Sequence, residues 1–283
     1  MEVKGLNGWT TDWNGNIDEN IKLTNTDSGS AWTNGALSTT STNEAKFSGK
    51  WSGNGTFERT GGGRMDYRYK GDISSWTGKF LLSGNGTTQL TFSDAATEVK
   101  AEIAKANGTL NVVVENDATF YKNVDATQLR VNAGKTATMN VEADTSRTFT
   151  GTLAGTGTLN KDGKGELVLG MTGAGDNPTT EVNVVVTDGT FKLNTDKLAL
   201  PSITVSGNGT LDATSGVSTK TAITLANDAT LSVGGDGLKL LSGSTFILED
   251  NAKFNFIFGG DPGDDVIVAS GLTKDNISGI IFD

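Results

Sequence analysis

The chain has 283 residues, a formal charge of −10, 38 glycines against 3 prolines, and neither cysteine nor histidine. Without thiols or imidazoles it can form no disulfide, no Ser-His-Asp or Cys-His catalytic arrangement, and no zinc site ligated by Cys or His. The acidic balance repels a phosphate backbone and no Lys/Arg-rich run offsets it locally, so nucleic acid is not an expected partner.

Hydrophobic residues make up 35% of the chain and recur in short runs between Gly, Asn and Asp turn signals, which reads as ordered short strands. No run approaches the ~18 apolar residues of a bilayer span, so no membrane insertion of this segment is expected. Residues 1–20 lack the basic start and apolar core of a signal peptide, and an exported chain would be a mature or excised portion.

All five tryptophans, Trp9, Trp13, Trp32, Trp51 and Trp76, lie in the first 76 residues. Residues 1–76 are therefore expected to form an aromatic-rich N-terminal cap with the first rungs, and residues 77–283 the remaining rungs. Within the first part, Trp51, Arg59, Arg64, Tyr67, Arg68, Tyr69 and Trp76 form a candidate ligand-binding cluster. In a strand, Tyr67 and Tyr69 share one face while Arg64, Arg68 and Lys70 share the other. Two readings stay open: the aromatics cover an open end of a core, or they bind a glycan or a host surface protein by stacking and hydrogen bonding.

Residues 94–106, DAATEVKAEIAKA, carry helix signals in Asp94 and Gly108, yet Val99, Ala101 and Ile103 alternate. Lying between strand-like stretches, the segment reads as a rung.

The stretch FTGTLAGTGTLNKDGKGELVL at 149–169 repeats FSGKWSGNGTFERTGGGRMDY at 47–67 at a constant offset of 102 residues. The copies share Phe47/Phe149, Gly49/Gly151, Gly53/Gly155, Gly55/Gly157, Thr56/Thr158, Gly61/Gly163 and Gly63/Gly165. From residue 184 onward a shorter unit recurs as VVVTDGTFKL, ITVSGNGTLDA, ITLANDATLSV and FILEDNAKFNF, with Thr190, Thr210, Thr230 and Lys253 in equivalent places. A period of roughly 20–25 residues is the signature of a solenoid, in which each repeat buries its apolar face by stacking on its neighbours. The alternation of Ile203 and Val205, or Ile223 and Leu225, makes the repeating element a strand. Stacked in parallel, such rungs would bring Asp188, Asn208, Asp228 and Asn251 into one ladder.

Residues 149–193 resemble the autotransporter-associated β-strand repeat, through Gly155, Gly157, Leu159, Lys161, Gly163, Gly165, Leu167, Leu169, Gly189, Thr190 and Phe191. The segment GAGDNPTTEV departs from that family's short turn, and the copy at 47–67 carries Arg59 at the Lys position. The resemblance implies an all-β chain forming a single right-handed parallel β-helix. It also implies passenger material of a bacterial surface or secreted protein, located outside the cell or at its surface, where the repeat serves as stalk more than as catalyst.

Two further motifs invite chemistry. Asp188 and Asp228 could serve as the carboxylate pair of a β-helix polysaccharide lyase or glycoside hydrolase, whereas turn-forming Asx is the simpler reading. GGDPGDDVIVASG at 259–271 is similar to a calcium-binding glycine-rich nonapeptide, but it occurs once and has no stacked copies to complete an oxygen shell, so it reads as a solvated acidic loop before a strand at Val266 to Val268. The expectation is a structural or adhesive segment with no catalytic activity, no cofactor and no metal.

Overall fold

The computed structural model describes residues 44–257 with interruptions at 48, 61, 94–96, 171–179, 195–196, 199, 216, 220, 235–237, 241–243 and 250, together with isolated short strands on either side. The chain is all-β: among the described residues every regular element is a strand, every strand pair is parallel, and the strands stack as a β-solenoid. Among the described residues no helix is long and apolar enough to cross a membrane. Two compact units divide it, residues 1–135 and 136–283.

In the first unit the chain returns to the same sheets coil after coil. One sheet stacks Glu2–Lys4, Ile21–Thr24, Thr56–Arg59, Lys79–Leu82 and Glu102–Lys105. Another stacks Thr10–Thr11, Glu44–Phe47, Arg64–Tyr69, Thr87–Phe92, Thr109–Val114 and Gln128–Val131. Gly15–Asn16, Trp51–Gly53 and Ser75–Trp76 form a third. The register is set by inward residues of like kind. Phe57, Phe80 and Ile103 stand in line 23 residues apart, and Tyr69, Phe92, Val114 and Val131 stand in line at steps of 23, 22 and 17 residues. Slipping any strand by one residue would turn this whole set outward, so burial of one face fixes the pairing. The segment at 94–106 is a rung as its alternation indicated: Thr97–Val99 and Glu102–Lys105 are strands, and Val99, Ala101 and Ile103 are buried. Asp94 lies outside the described residues.

In the second unit Thr136–Asn140 and Thr158–Asp162 lead into two long strands, Asn183–Leu193 and Ser202–Ala213. Thr158–Asp162 and Glu166–Leu169 are separated by a glycine corner, yet both pair with the single strand Asn183–Leu193. Ala222–Leu225 and Thr230–Gly234 then pair with the two halves of Ser202–Ala213, and Thr245–Leu248 and Lys253–Ile257 follow. Val184, Val186, Phe191, Leu193, Ile203, Val205, Leu211, Ile223, Leu225 and Leu231 are all 0% exposed and form the core of this unit. At ~1.5–3 kcal/mol per fully buried large apolar side chain, that interior is what offsets the entropy of ordering so glycine-rich a chain.

The Asp/Asn ladder is present. Asp188 pairs with Asn208, and the registers on both sides carry the same position to Asp228 and Asn251. Each rung bends here, and the backbone turns left-handed at Gly189 (φ 65°), Gly207 (φ 58°), Asp228 (φ 64°) and Asn251 (φ 63°). Only Gly, Asn and Asp adopt that conformation readily, which accounts for Asp228 and Asn251; in the two earlier rungs a glycine beside the ladder residue takes it, Gly189 next to Asp188 and Gly207 next to Asn208. Of the 259–271 segment, Ile267–Val268 is a strand on Leu238–Leu240; the rest lies outside the described residues.

Candidate functional site

The 47–67 and 149–169 copies fold alike. From Trp51 to Tyr67 and from Leu153 to Leu169, the sequence of buried, half-buried and exposed residues is the same at every described position. Gly53 and Gly155 carry matching positive φ values of 91° and 89°. The offset of 102 residues is therefore a structural duplication of one strand–corner–strand unit.

That duplication decides where the candidate binding residues go. Arg64 to Tyr69 alternate as read from sequence, with Met65, Tyr67 and Tyr69 on one face and Arg64, Asp66 and Arg68 on the other. The aromatic face is the interior one. Trp51 is 0%, Tyr67 1%, Tyr69 2% and Trp76 2% exposed, so these four rings do not form the expected exposed surface. Nor do these rings cover an end of the stack at Tyr67, which has Ala45 on one side and Leu90 on the other in register. They form a continuous interior network instead. Phe47 meets Trp51 edge-on at 5.0 Å and Tyr69 in a stack at 5.5 Å, Trp51 meets Trp76 at 5.3 Å, and Tyr69 stacks on Phe92 at 5.6 Å. Such pairs add ~0.5–1.5 kcal/mol beyond their area. Trp76 further donates its indole N–H to the Gly55 carbonyl at 3.1 Å.

Arg59 was expected to reach a ligand, and it is 0% exposed. It shares strand parity with Phe57 and so points inward, between Leu23 and Leu82 of the adjacent rungs. Its guanidinium donates to the Gly63 carbonyl at 2.6 Å and to the Tyr67 hydroxyl. Burial lowers the Arg59 pKa, opposed by Tyr67, and burial raises that of Tyr67 to about 12, opposed by Arg59.

Lys161 holds the same place in the second copy and is also 0% exposed. It lies in register between Met139 and Val186. Its Nζ donates to three backbone carbonyls: Gly163 at 2.6 Å, Asp188 at 2.9 Å and Asp162 at 3.0 Å. An ammonium has three N–H donors, so these acceptors satisfy it, and no protein group is left for it to act on. Burial lowers its pKa to about 8; Asp188 and Asp162 pull the other way, and Arg147 adds to the lowering. A Cβ on Gly189 would clash with the Gly163 and Gly165 carbonyl oxygens and stand 2.8 Å from this Nζ, which together with the positive φ explains glycine there. Lys161 was not singled out from the sequence as a special residue. The signal was available, since it alternates with Leu159 and so must face the same interior.

On the outer face, Arg68 makes a two-pronged ion pair with Glu115, at 2.7 and 2.9 Å, and a longer one with Asp66 at 3.2 Å. Asp66 accepts from Thr91 at 2.8 Å, and the Gln89 amide donates to the same Thr91 hydroxyl. Asp66, Gln89 and Thr91 are buried although they face outward. Arg68 thus lies in a polar outer network, where its guanidinium is neutralised by two carboxylates. Arg64 is half-buried on the same outer face.

The two aspartates considered for hydrolysis both lie in turns. Asp188 accepts from the Gly189 amide at 2.9 Å, and Asp228 sits in a turn closed by the Ala229 amide on the Ala226 carbonyl at 3.1 Å. Asn208 separates them, placing them two rungs or ~9.6 Å apart. Among the described residues no group of three or more Asp or Glu side chains is placed to hold a metal ion. No protein-family model, curated protein or solved structure matches the chain.

Proposed function

We propose that this chain is a structural and adhesive passenger segment of a bacterial surface or secreted protein, with no chemistry of its own. The observation that supports this reading most directly is the commitment of its distinctive side chains to the fold. The four aromatics, Arg59 and Lys161 are interior, the Asp188 carboxylate accepts from the turn amide of Gly189, and Asp228 sits in a backbone-closed turn at positive φ. What faces solvent is built mainly of short polar residues on a regular parallel lattice, which suits a spacer bearing contacts spread over many rungs. Adhesion to glycans or host proteins would then run through outward side chains, since Trp51, Tyr67, Tyr69 and Trp76 are out of reach.

A lyase or hydrolase on the same fold is the competing reading. It would require Asp188 and Asp228 to act together across Asn208, at a spacing close to the upper limit for an inverting pair. Incubation of the whole chain with uronate-containing polysaccharides and with host glycans, read by reducing ends and by absorbance of unsaturated products, separates the two. We expect no turnover. Turnover abolished by Asp188→Asn or Asp228→Asn would establish the enzyme instead.

A further inference from the structure

The rungs of the second unit are near copies of one another, and that creates a problem of register. Val184 and Val186 pair with Leu159 and Lys161, but Ile203 and Val205 in the next repeat offer the same apolar pattern at the same spacing. A slip by one repeat would loop out ~20 residues, and the entropy of closing a loop grows only slowly with its length. Hydrophobic burial therefore distinguishes the correct partner of Thr158–Asp162 only weakly.

Lys161 breaks this degeneracy. Its ammonium crosses from its own rung to the Asp188 carbonyl on the next, while its other two bonds, to Asp162 and Gly163, hold the corner it comes from. The Asp188 carboxylate adds attraction at the same place, and the residue one repeat further on is the neutral Asn208. We propose that Lys161 and Asp188 together form a register lock that selects Asn183–Leu193, and rejects Ser202–Ala213, as the neighbour of Thr158–Asp162. A buried polar residue that specifies register at some cost in stability has good precedent in repetitive assemblies. In a slipped pairing the lysine would keep a turn carbonyl but lose its facing carboxylate, and the Asp188 carboxylate would leave with the extruded rung.

The absence of native cysteine makes the test clean. Asn160 and Val185 are register partners, so an Asn160→Cys/Val185→Cys pair should oxidise to a disulfide in the correctly stacked chain. Thr204 is the partner of Val185 on the following rung, about 9.6 Å from Asn160 and beyond disulfide reach, so Asn160→Cys/Thr204→Cys should not close. Each pair is refolded from denaturant under oxidising conditions with Lys161 intact, with Lys161→Met and with Asp188→Asn. We expect the 160–204 cross-link to rise about tenfold in Lys161→Met, the change that ~1.4 kcal/mol produces, and to rise by a smaller factor in Asp188→Asn. If Lys161→Met does not refold, Asp188→Asn decides alone, because it keeps every backbone acceptor and the turn-closing oxygen. Exclusive 160–185 cross-linking in the refolded variants would overturn the proposal.

Discussion

Arg59 and Lys161 occupy the same position of a duplicated unit, yet they satisfy their charges differently. Arg59 lies in an aromatic interior, where the long fork reaches past the corner to Gly63 and finds a hydroxyl on Tyr67. The counterpart of Tyr67 in the second copy is Leu169, which offers no acceptor, and the shorter lysine turns instead to the carbonyls of its own corner and of the next rung. The aromatic copy thus fills its interior with rings and binds its cation locally. The aliphatic copy has less to fill and uses its cation to tie two rungs together. A buried charge in a repeat protein is tolerable at one position in many, provided the surrounding backbone supplies acceptors whose geometry does not depend on neighbouring side chains.

The largest expected effect separates the two interiors. Trp51→Ala should cost about 3–5 kcal/mol, because it opens a large cavity among Phe47, Phe57, Tyr69 and Trp76 that a stacked lattice cannot close. Its counterpart Leu153→Ala should cost less, about 2–3 kcal/mol for a smaller side chain. Denaturant midpoints of the two variants measured on the whole chain check the order. Equal losses would mean that ring packing adds nothing beyond volume.

The parallel, rung-by-rung architecture was legible in the sequence because each signal was periodic. The Thr190, Thr210, Thr230 spacing and the alternation in Ile203/Val205 predict stacked strands, and Asp188, Asn208, Asp228 and Asn251 form the predicted ladder. The burial of the candidate residues was not legible, because alternation tells which residues share a face and not which face is inside. Tyr67 and Tyr69 were placed together correctly, but a Trp/Tyr/Arg cluster resembles a binding surface until parity with Met65 and Phe57 is followed through. Arg59 and Lys161 were hidden by their charge, since a cation at an interior position contradicts the usual reading of the pattern. Glu115 could not be linked to Arg68 at all, because their pairing spans two rungs and depends on the register.

The next comparison sets Tyr67 against Tyr69, two buried hydroxyls on one strand. Tyr67→Phe removes one of the acceptors of Arg59, leaving the Gly63 carbonyl, and should cost about 1–3 kcal/mol. The Tyr69 hydroxyl is buried without a hydrogen-bond partner among the described residues, and its pKa is driven well above the ordinary value by burial and by Tyr67. Tyr69→Phe should therefore be neutral or mildly stabilising, since deleting an unsatisfied buried polar group relieves a desolvation cost. Equal destabilisation by both would show that Tyr69 has an unseen partner.

Lys161 gives the second unit a pH dependence of its own. Its folded pKa of about 8 lies below the ordinary 10.5, so between these values the unfolded chain holds the proton more tightly. The penalty for burying the ammonium is therefore fully present below about pH 8 and is released as pH rises toward 10.5, so this group's contribution to stability increases across that window. Side-chain NMR titration should find one lysine with a midpoint near 8. In Lys161→Met the corresponding rise in denaturant midpoint between pH 8 and 10 should disappear; its persistence would assign the effect elsewhere.

The smallest effect is expected on the outer surface, where the charge pairs of the rungs are displayed. Lys79 and Glu102 stand opposite each other in register at 3.0 Å, yet their side chains are 38% and 39% exposed. Solvent screens such a pair and both chains lose rotamer freedom on making it, so Lys79→Ala should shift stability by only about 0.2–1 kcal/mol. Arg68→Ala, by contrast, leaves Asp66 buried beside Thr91 without its cation and should cost several times more. Measuring both substitutions at low and high salt tests the distinction, because screening should erase the Lys79 effect and leave most of the Arg68 effect. If salt abolishes both alike, the Asp66–Arg68–Glu115 network is an ordinary surface array and gives the outer face of the first unit no added rigidity.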